Sequence, residues 1–163
     1  MLRYNHIYYG KNCMIFDACY IRNEGTAIIG NDFLLTSDGG YNPLARNLKA
    51  ALVVNRGASV IIGNRVHCSS VCIWARKQIC IGDNVKIGAG TIFIDSNAHS
   101  LSYEERRDDV LDARNAVSKA IVVGNDVLIG TMCIILKGVH IGERSVIGAG
   151  SVVTHTVNLQ LMD

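Results

Sequence analysis

The chain has 163 residues, enough for one domain with a sizeable core. A formal charge of +2, with its basic residues scattered, argues against a nucleic-acid partner, and no apolar run reaches the roughly 20 residues of a membrane helix. The opening string MLRYNHIYYGKN has no apolar stretch of secretory type, so the expected location is the cytoplasm. Cysteines at 13, 19, 68, 72, 80 and 133 form no CxxC pair and have no His at metal-ligand spacing. They read as small apolar residues kept reduced.

In chain order, the first sign of organisation is a faint repeat. Ala27 and Ile29, then Phe33 and Leu35, are pairs set six residues apart. The segment from Thr36 to Lys49 interrupts it, carrying the only proline, Pro43, and the polar residues Asp38, Asn42, Arg46 and Asn47. From Val60 the spacing strengthens: Ile62, Cys68 and Trp74 follow at steps of six, preceded two places earlier by Val60, Val66 and Cys72. Alternate residues of a strand point to one side, so both members of each pair, Cys72 and Trp74 included, are assigned to one interior. A step of seven to Ile81 places one extra residue near 75–78, after which Ile81, Ile87 and Phe93 pair with Ile79, Val85 and Thr91.

After Phe93 the register fails and resumes at Val123, thirty residues on. Residues 96–120 therefore leave the repeat as a loop, with mixed charges suited to solvent and His99 at its root. The last third is the most regular part. Val123, Ile129, Ile135, Ile141, Ile147 and Val153 recur every six residues, with Ile121, Val127, Cys133, Val139, Ser145 and Ser151 two places before them. Gly124, Gly130, Gly142 and Gly148 follow directly, where a strand ends in a corner. A helix would repeat near 3.6 residues and a doubly wound sheet would show helices between strands. The pattern is instead that of an all-β solenoid with flat sides. The expected organisation is an N-terminal segment over 1–57 with a weak repeat, a solenoid over 58–154 with the inserted loop 96–120, and a short tail over 155–163.

Loops carried by a rigid scaffold concentrate function, and histidine is the side chain suited to taking a proton near neutral pH. Two roles stay open for Asp95: orienting the His99 imidazole or binding substrate, or holding the loop root through backbone hydrogen bonds. Asn97 either touches substrate or forms the turn.

The strings IGDNVKIGAG, VGNDVLIGT and HIGERSVIGAGSVVT resemble the hexapeptide-repeat acyltransferases, in particular the galactoside, maltose and polysaccharide O-acetyltransferases. Parallel crossovers are normally right-handed. The resemblance nevertheless implies a left-handed parallel β-helix, with three six-residue sides to a turn and about four turns between residues 60 and 153. It also implies acetyl-CoA as cosubstrate with no metal, a sugar or saccharide acceptor, and a homotrimer with CoA lying in the groove between subunits. His99 stands where the catalytic histidine of these enzymes leaves the coil, which makes it the expected general base. Ser69 and Ser70 occupy the place of an acceptor-touching Asn, matching by place and not by residue, while Asn42 and Arg46 belong to a segment that suits either an acceptor-side lid or an end cap. Gly130 and Thr131, with Gly148, Ala149 and Gly150, match positions along the CoA arm, although small residues are also what the corners require. Where relatives continue with an Ile-Pro step and an AGNPAKVI-type segment, this chain reads SVVTHTVNLQLMD, which puts the adenine-side contacts and trimer strength in question. Two other readings remain. One is a β-helical scaffold that has lost activity; the other is a metal-dependent carbonic-anhydrase-like protein, which the lack of an HxxxxH spacing disfavours.

Overall fold

The computed structural model describes residues 1–158. Among these, three parallel sheets of six strands form the flat sides of a prism, and each coil contributes one strand to each side. The architecture is the expected all-β, left-handed parallel β-helix with a long loop leaving the coil. The first coil holds Tyr8–Tyr9 on side 1, Met14–Phe16 on side 2 and Tyr20–Asn23 on side 3, and later coils keep this order; the second holds Thr26–Ile29, Leu34–Thr36 and Ala51–Val54. The third comprises Ser59–Ile62, His67–Ser69 and Cys72–Ala75, and the fourth Gln78–Ile81, Lys86–Ile87 and Ile92–Ile94. Ile121–Val123, Leu128–Ile129 and Ile134–Leu136 form the fifth, and His140–Ile141, Val146–Ile147 and Val152–Val153 the sixth.

Parallel pairing stacks equivalent residues of successive coils, so inward positions become columns. On side 3 one such column runs Ile21, Leu52, Ile73, Phe93, Ile135 and Val153. Phe93, Ile79, Ile121, Ile129, Ile135 and Ile141 are fully buried in the shaft, each contributing about 1.5–3 kcal/mol of transfer free energy. The corner between sides 1 and 2 is equally regular. Asn31, Asn64, Asp83 and Asn125 each accept, through a side-chain oxygen, the backbone N–H of the coil before them. Gly82 is required there, because a Cβ would lie 2.5 Å from Asn125 Oδ1.

Three expectations change. Trp74 and Cys72 do not face the shaft; Val71, Ile73 and Ala75 do, and Trp74 points outward and donates its indole N–H to Asn55 Oδ1 at 3.1 Å. The corner after Cys68 is one residue short, with Ser70 turning the chain at φ 42°, so every side chain of that strand shifts to the other face. The faint early repeat is two complete coils, continuous with the rest in all three sheets. The loop also contains a short helix, α1, over Asp109–Asn115, whose N-terminal N–H groups are capped by Asp108. Of the expected tail 155–163, Val157 pairs with Ile141 and residues 159–163 lie outside the described residues.

Candidate active site

The loop departs from side 3 at Ile94 and returns to side 1 at Ile121, so it sits on the corner between those sides. Its roots are closed on each other by an antiparallel bridge between Ser96 and Ser118 and by Asn97 N–H donating to Val117 O at 3.0 Å. Asp95 continues the inward alternation of Thr91 and Phe93 and is fully buried. Its two oxygens accept the backbone N–H groups of Arg76, Lys77 and Gln78, each at 2.7 Å. The carboxylate is thus filled by the corner of the preceding coil and makes no bond to the imidazole. Arg76 completes the clamp, donating to Ala98 O at 3.0 Å and Ala113 O at 3.1 Å. Asn97 Nδ2 is buried without a hydrogen-bond partner among the described residues.

The partner of His99 is a residue that sequence reasoning missed. Asp112, on α1, lies with Oδ2 2.6 Å from His99 Nδ1, while its Oδ1 accepts the Ser100 N–H at 2.6 Å. The His99 bond, then the Ser100 N–H, hold the Asp112 carboxyl below the usual carboxylate range. An ionised carboxylate only accepts, so His99 Nδ1 carries the shared proton, and in the neutral ring Nε2 is the nitrogen that can accept. The imidazole is 69% exposed at the loop root. The only hint in the sequence is the helix signal itself, an Asp cap followed by Val110 and Leu111.

A groove crosses the outer face of side 2, and it gathers both acceptor and CoA candidates. Thr36, His67, Ser69, Lys86, Gly130 and Thr131 line it. Ser69 Oγ accepts from Thr36 Oγ1 at 2.9 Å and from Asn42 Nδ2 at 3.1 Å, so Asn42 is tied to the groove's edge. Ser70 is buried and anchors the 37–50 segment, accepting the Asp38 N–H at 3.0 Å. Arg46 is exposed and makes no side-chain hydrogen bond or ion pair among the described residues. Gly130 is required by stacking, since a Cβ would lie 2.5 Å from Ala149 N of the next coil. With Gly88 it leaves the groove edge as bare backbone. Gly148 lines a separate hollow with Ser151 and His155; Ala149 and Gly150 turn the same corner, Gly150 at φ +75° beside open space. His99 is not among the residues lining the side 2 groove.

Cysteine chemistry has no support here. All six cysteines are free thiols. Burial pushes Cys19 up to about 11, and Cys68 higher still, away from the thiolate. Cys68 and Cys133 face the shaft, whereas Cys72 is only half-buried. Among the described residues no group of three or more His, Cys, Asp or Glu side chains converges as a metal site, and no helix is long and apolar enough to cross a membrane, which says nothing of a β-barrel.

Coils, corners and loop together define a β-helix of the hexapeptide class, and the family model for bacterial transferase hexapeptide (six repeats) matches residues 120–155. A protein of Escherichia coli K12 named for lipopolysaccharide biosynthesis O-acetyl transfer, WbbJ, is 29% identical over 151 residues, 90% of this chain and 72% of the relative. Galactoside O-acetyltransferase of the same organism is 34% identical over 102 residues, 62% of this chain; the chain spans about half (47%) of that enzyme's length. A Vibrio cholerae hexapeptide-repeat acetyltransferase, solved in complex with acetyl-CoA, superposes with a TM-score of 0.54 at 25% identity, covering 94% of this chain and 64% of the other. Its repeat, its fold and these similarities set the chain beside the hexapeptide-repeat acetyltransferases.

Proposed function

We propose that this protein moves the acetyl group of acetyl-CoA directly to a hydroxyl of a sugar or polysaccharide precursor, with His99 as general base, at a seam between copies of a homotrimer. The observation that carries this reading is the His99–Asp112 pair at 2.6 Å, which turns Nδ1 to the carboxylate on an imidazole that is otherwise exposed. The names of the lipopolysaccharide and galactoside relatives support the acceptor class.

The chain's residues act as follows. His99 Nε2 takes the proton of the acceptor hydroxyl as its oxygen attacks the thioester carbon, and Asp112 steadies the imidazolium that forms. The imidazolium then returns the proton to the departing CoA thiolate, so no acyl-enzyme is needed. Backbone N–H groups at the coil corners are the available donors for oxyanion charge. CoA supplies the activated acetyl thioester, and Gly88, Gly130 and Thr131 are the residues that would border its arm.

Where the parts lie supports the seam. The base stands on the corner between sides 3 and 1, and the groove lies on side 2, so a second copy is the natural source of the missing half. Exposed apolar residues on the flat sides, among them Ile92, Leu128, Val146 and Val152, give such copies a surface to bury. The test is His99→Ala, expected to lower transfer by about 10²–10⁴-fold while the fold and acetyl-CoA binding persist. An unchanged rate would remove the mechanism. Absence of acetyl-CoA binding in the unmutated chain would favour a scaffold instead.

A further inference from the structure

The outward column of side 2 runs Met14, Leu34, His67, Lys86, Leu128 and Val146, each in register with the next. Four of these are apolar. The two in the middle are a histidine and a lysine on neighbouring strands, with Lys86 Nζ 2.6 Å from His67 Nδ1. Two basic groups set side by side on a sheet cost stability unless something else uses them. Packing alone would be better served by continuing the apolar column.

The proton inventory says what they suit. An ammonium can only donate, so His67 Nδ1 accepts from it and the ring's own proton sits on Nε2. Burial, then the Lys86 charge, push His67 below its usual value, which keeps the ring neutral and able to accept. The pair therefore offers the groove donors alone: the remaining ammonium protons and the imidazole Nε2–H. No Asp or Glu lines the groove, and Lys86 makes no ion pair among the described residues. The hydroxyls of Ser69 and Thr131 border the same space. Net positive charge, several convergent donors and no carboxylate describe a site for a multi-oxygen anion.

We propose that Lys86 and His67 form a phosphate-binding subsite in the side 2 groove, taking a phosphate group either of CoA or of an acceptor that carries one, such as a nucleoside-diphosphate-linked sugar. The subsite assigns His99 no role and stands or falls apart from the transfer mechanism.

The test is calorimetric titration of the full chain with inorganic pyrophosphate, a nucleoside diphosphate, CoA and phosphate-free pantetheine. Pyrophosphate is expected to bind, and Lys86→Met to weaken it by at least about tenfold, with His67→Leu weakening it less. Lys86→Arg, which keeps the charge, should retain most of the affinity. Lys11→Met, far from the groove, should change nothing. If CoA supplies the phosphate, Lys86→Met weakens CoA and spares pantetheine; if the acceptor does, it weakens the nucleoside diphosphate and spares CoA. Either pattern supports the subsite. Equal affinity of Lys86→Met and the unmutated chain for every phosphate probe, or no binding of any of them, overturns it.

Discussion

His99 Nδ1 is held 2.6 Å from the Asp112 carboxylate, and replacing that carboxylate by an amide removes the charge while keeping the shape. Asp112→Asn is expected to lower kcat by roughly ten- to a hundredfold, less than His99→Ala, without weakening acetyl-CoA binding. Single-turnover rates beside a CoA titration would separate the two effects. Because the His99 and Ser100 contacts hold Asp112 below its usual value of 3.8, its contribution to stability is present above that pH and is lost only as pH falls through the lower folded value. His67 works in the opposite sense. Its folded pKa lies below 6.5, so on acidification from about that pH the unfolded chain takes up the proton first and stability falls. His67→Gln should flatten the decline of Tm between pH 7 and 5, and an unaltered slope would count against the neutral ring. At this scale the proposed base was readable from its place after IGDNVKIGAG, and the carboxylate that pairs with it was not. Asp95, four residues earlier, stood on the inward alternation of Thr91 and Phe93, a signal that assigns it to the corner. Asp112 reaches the imidazole through the seating of α1, which Arg76 ties down at Ala113 O, a tertiary contact with no local trace.

The loop behaves as an element because the preceding coil's corner, not solvent, defines its root. Asp95 satisfies three backbone N–H groups at once, and Asp95→Ala would leave them buried and unpaired. The cost of stranded donors runs to about 1–3 kcal/mol each. The variant should lose about 3 kcal/mol or more in urea unfolding, and a shift smaller than one such hydrogen bond would show that water replaces the carboxylate easily. Within the loop, Arg106 donates to Ser100 O at 2.8 Å and Glu105 accepts from Ser100 Oγ, so the mixed charge run that reads as solvated also braces the turn beside His99. The misassigned strand has a similar physical origin. A six-residue period tells which face a residue takes only while every corner keeps its length. The corner at Ser69–Ser70 drops one residue and the next, at Arg76–Lys77, gains two, so the sum seen from Trp74 to Ile81 concealed a switch of face between them.

Stacked coils convert a repeat in sequence into a rigid ruler, and this is why the period was enough for a flat-sided solenoid, while its three sides and left hand came from the resemblance. Identical inward positions build one shaft, so each coil supports only its neighbours, and the weakly patterned first coils are held by pairing that the later coils template. Rigidity also means that His99 and the side 2 groove cannot approach each other within a chain by bending the prism. If they act together, they must do so across copies. In a ring of three, each seam joins the base-bearing corner of one copy to the groove of the next, a heterologous contact. That arrangement predicts rescue between two inactive chains. His99→Ala lacks the base but keeps its groove; Thr131→Trp fills the groove but keeps its base. Each alone should be inactive, whereas co-expression should restore about a quarter of the normal rate, because random assortment places an intact base beside an intact groove at about one seam in four. A mixture no more active than its separate components would mean that base and groove never meet at a seam, and would return the search for the second half of the site to a single chain.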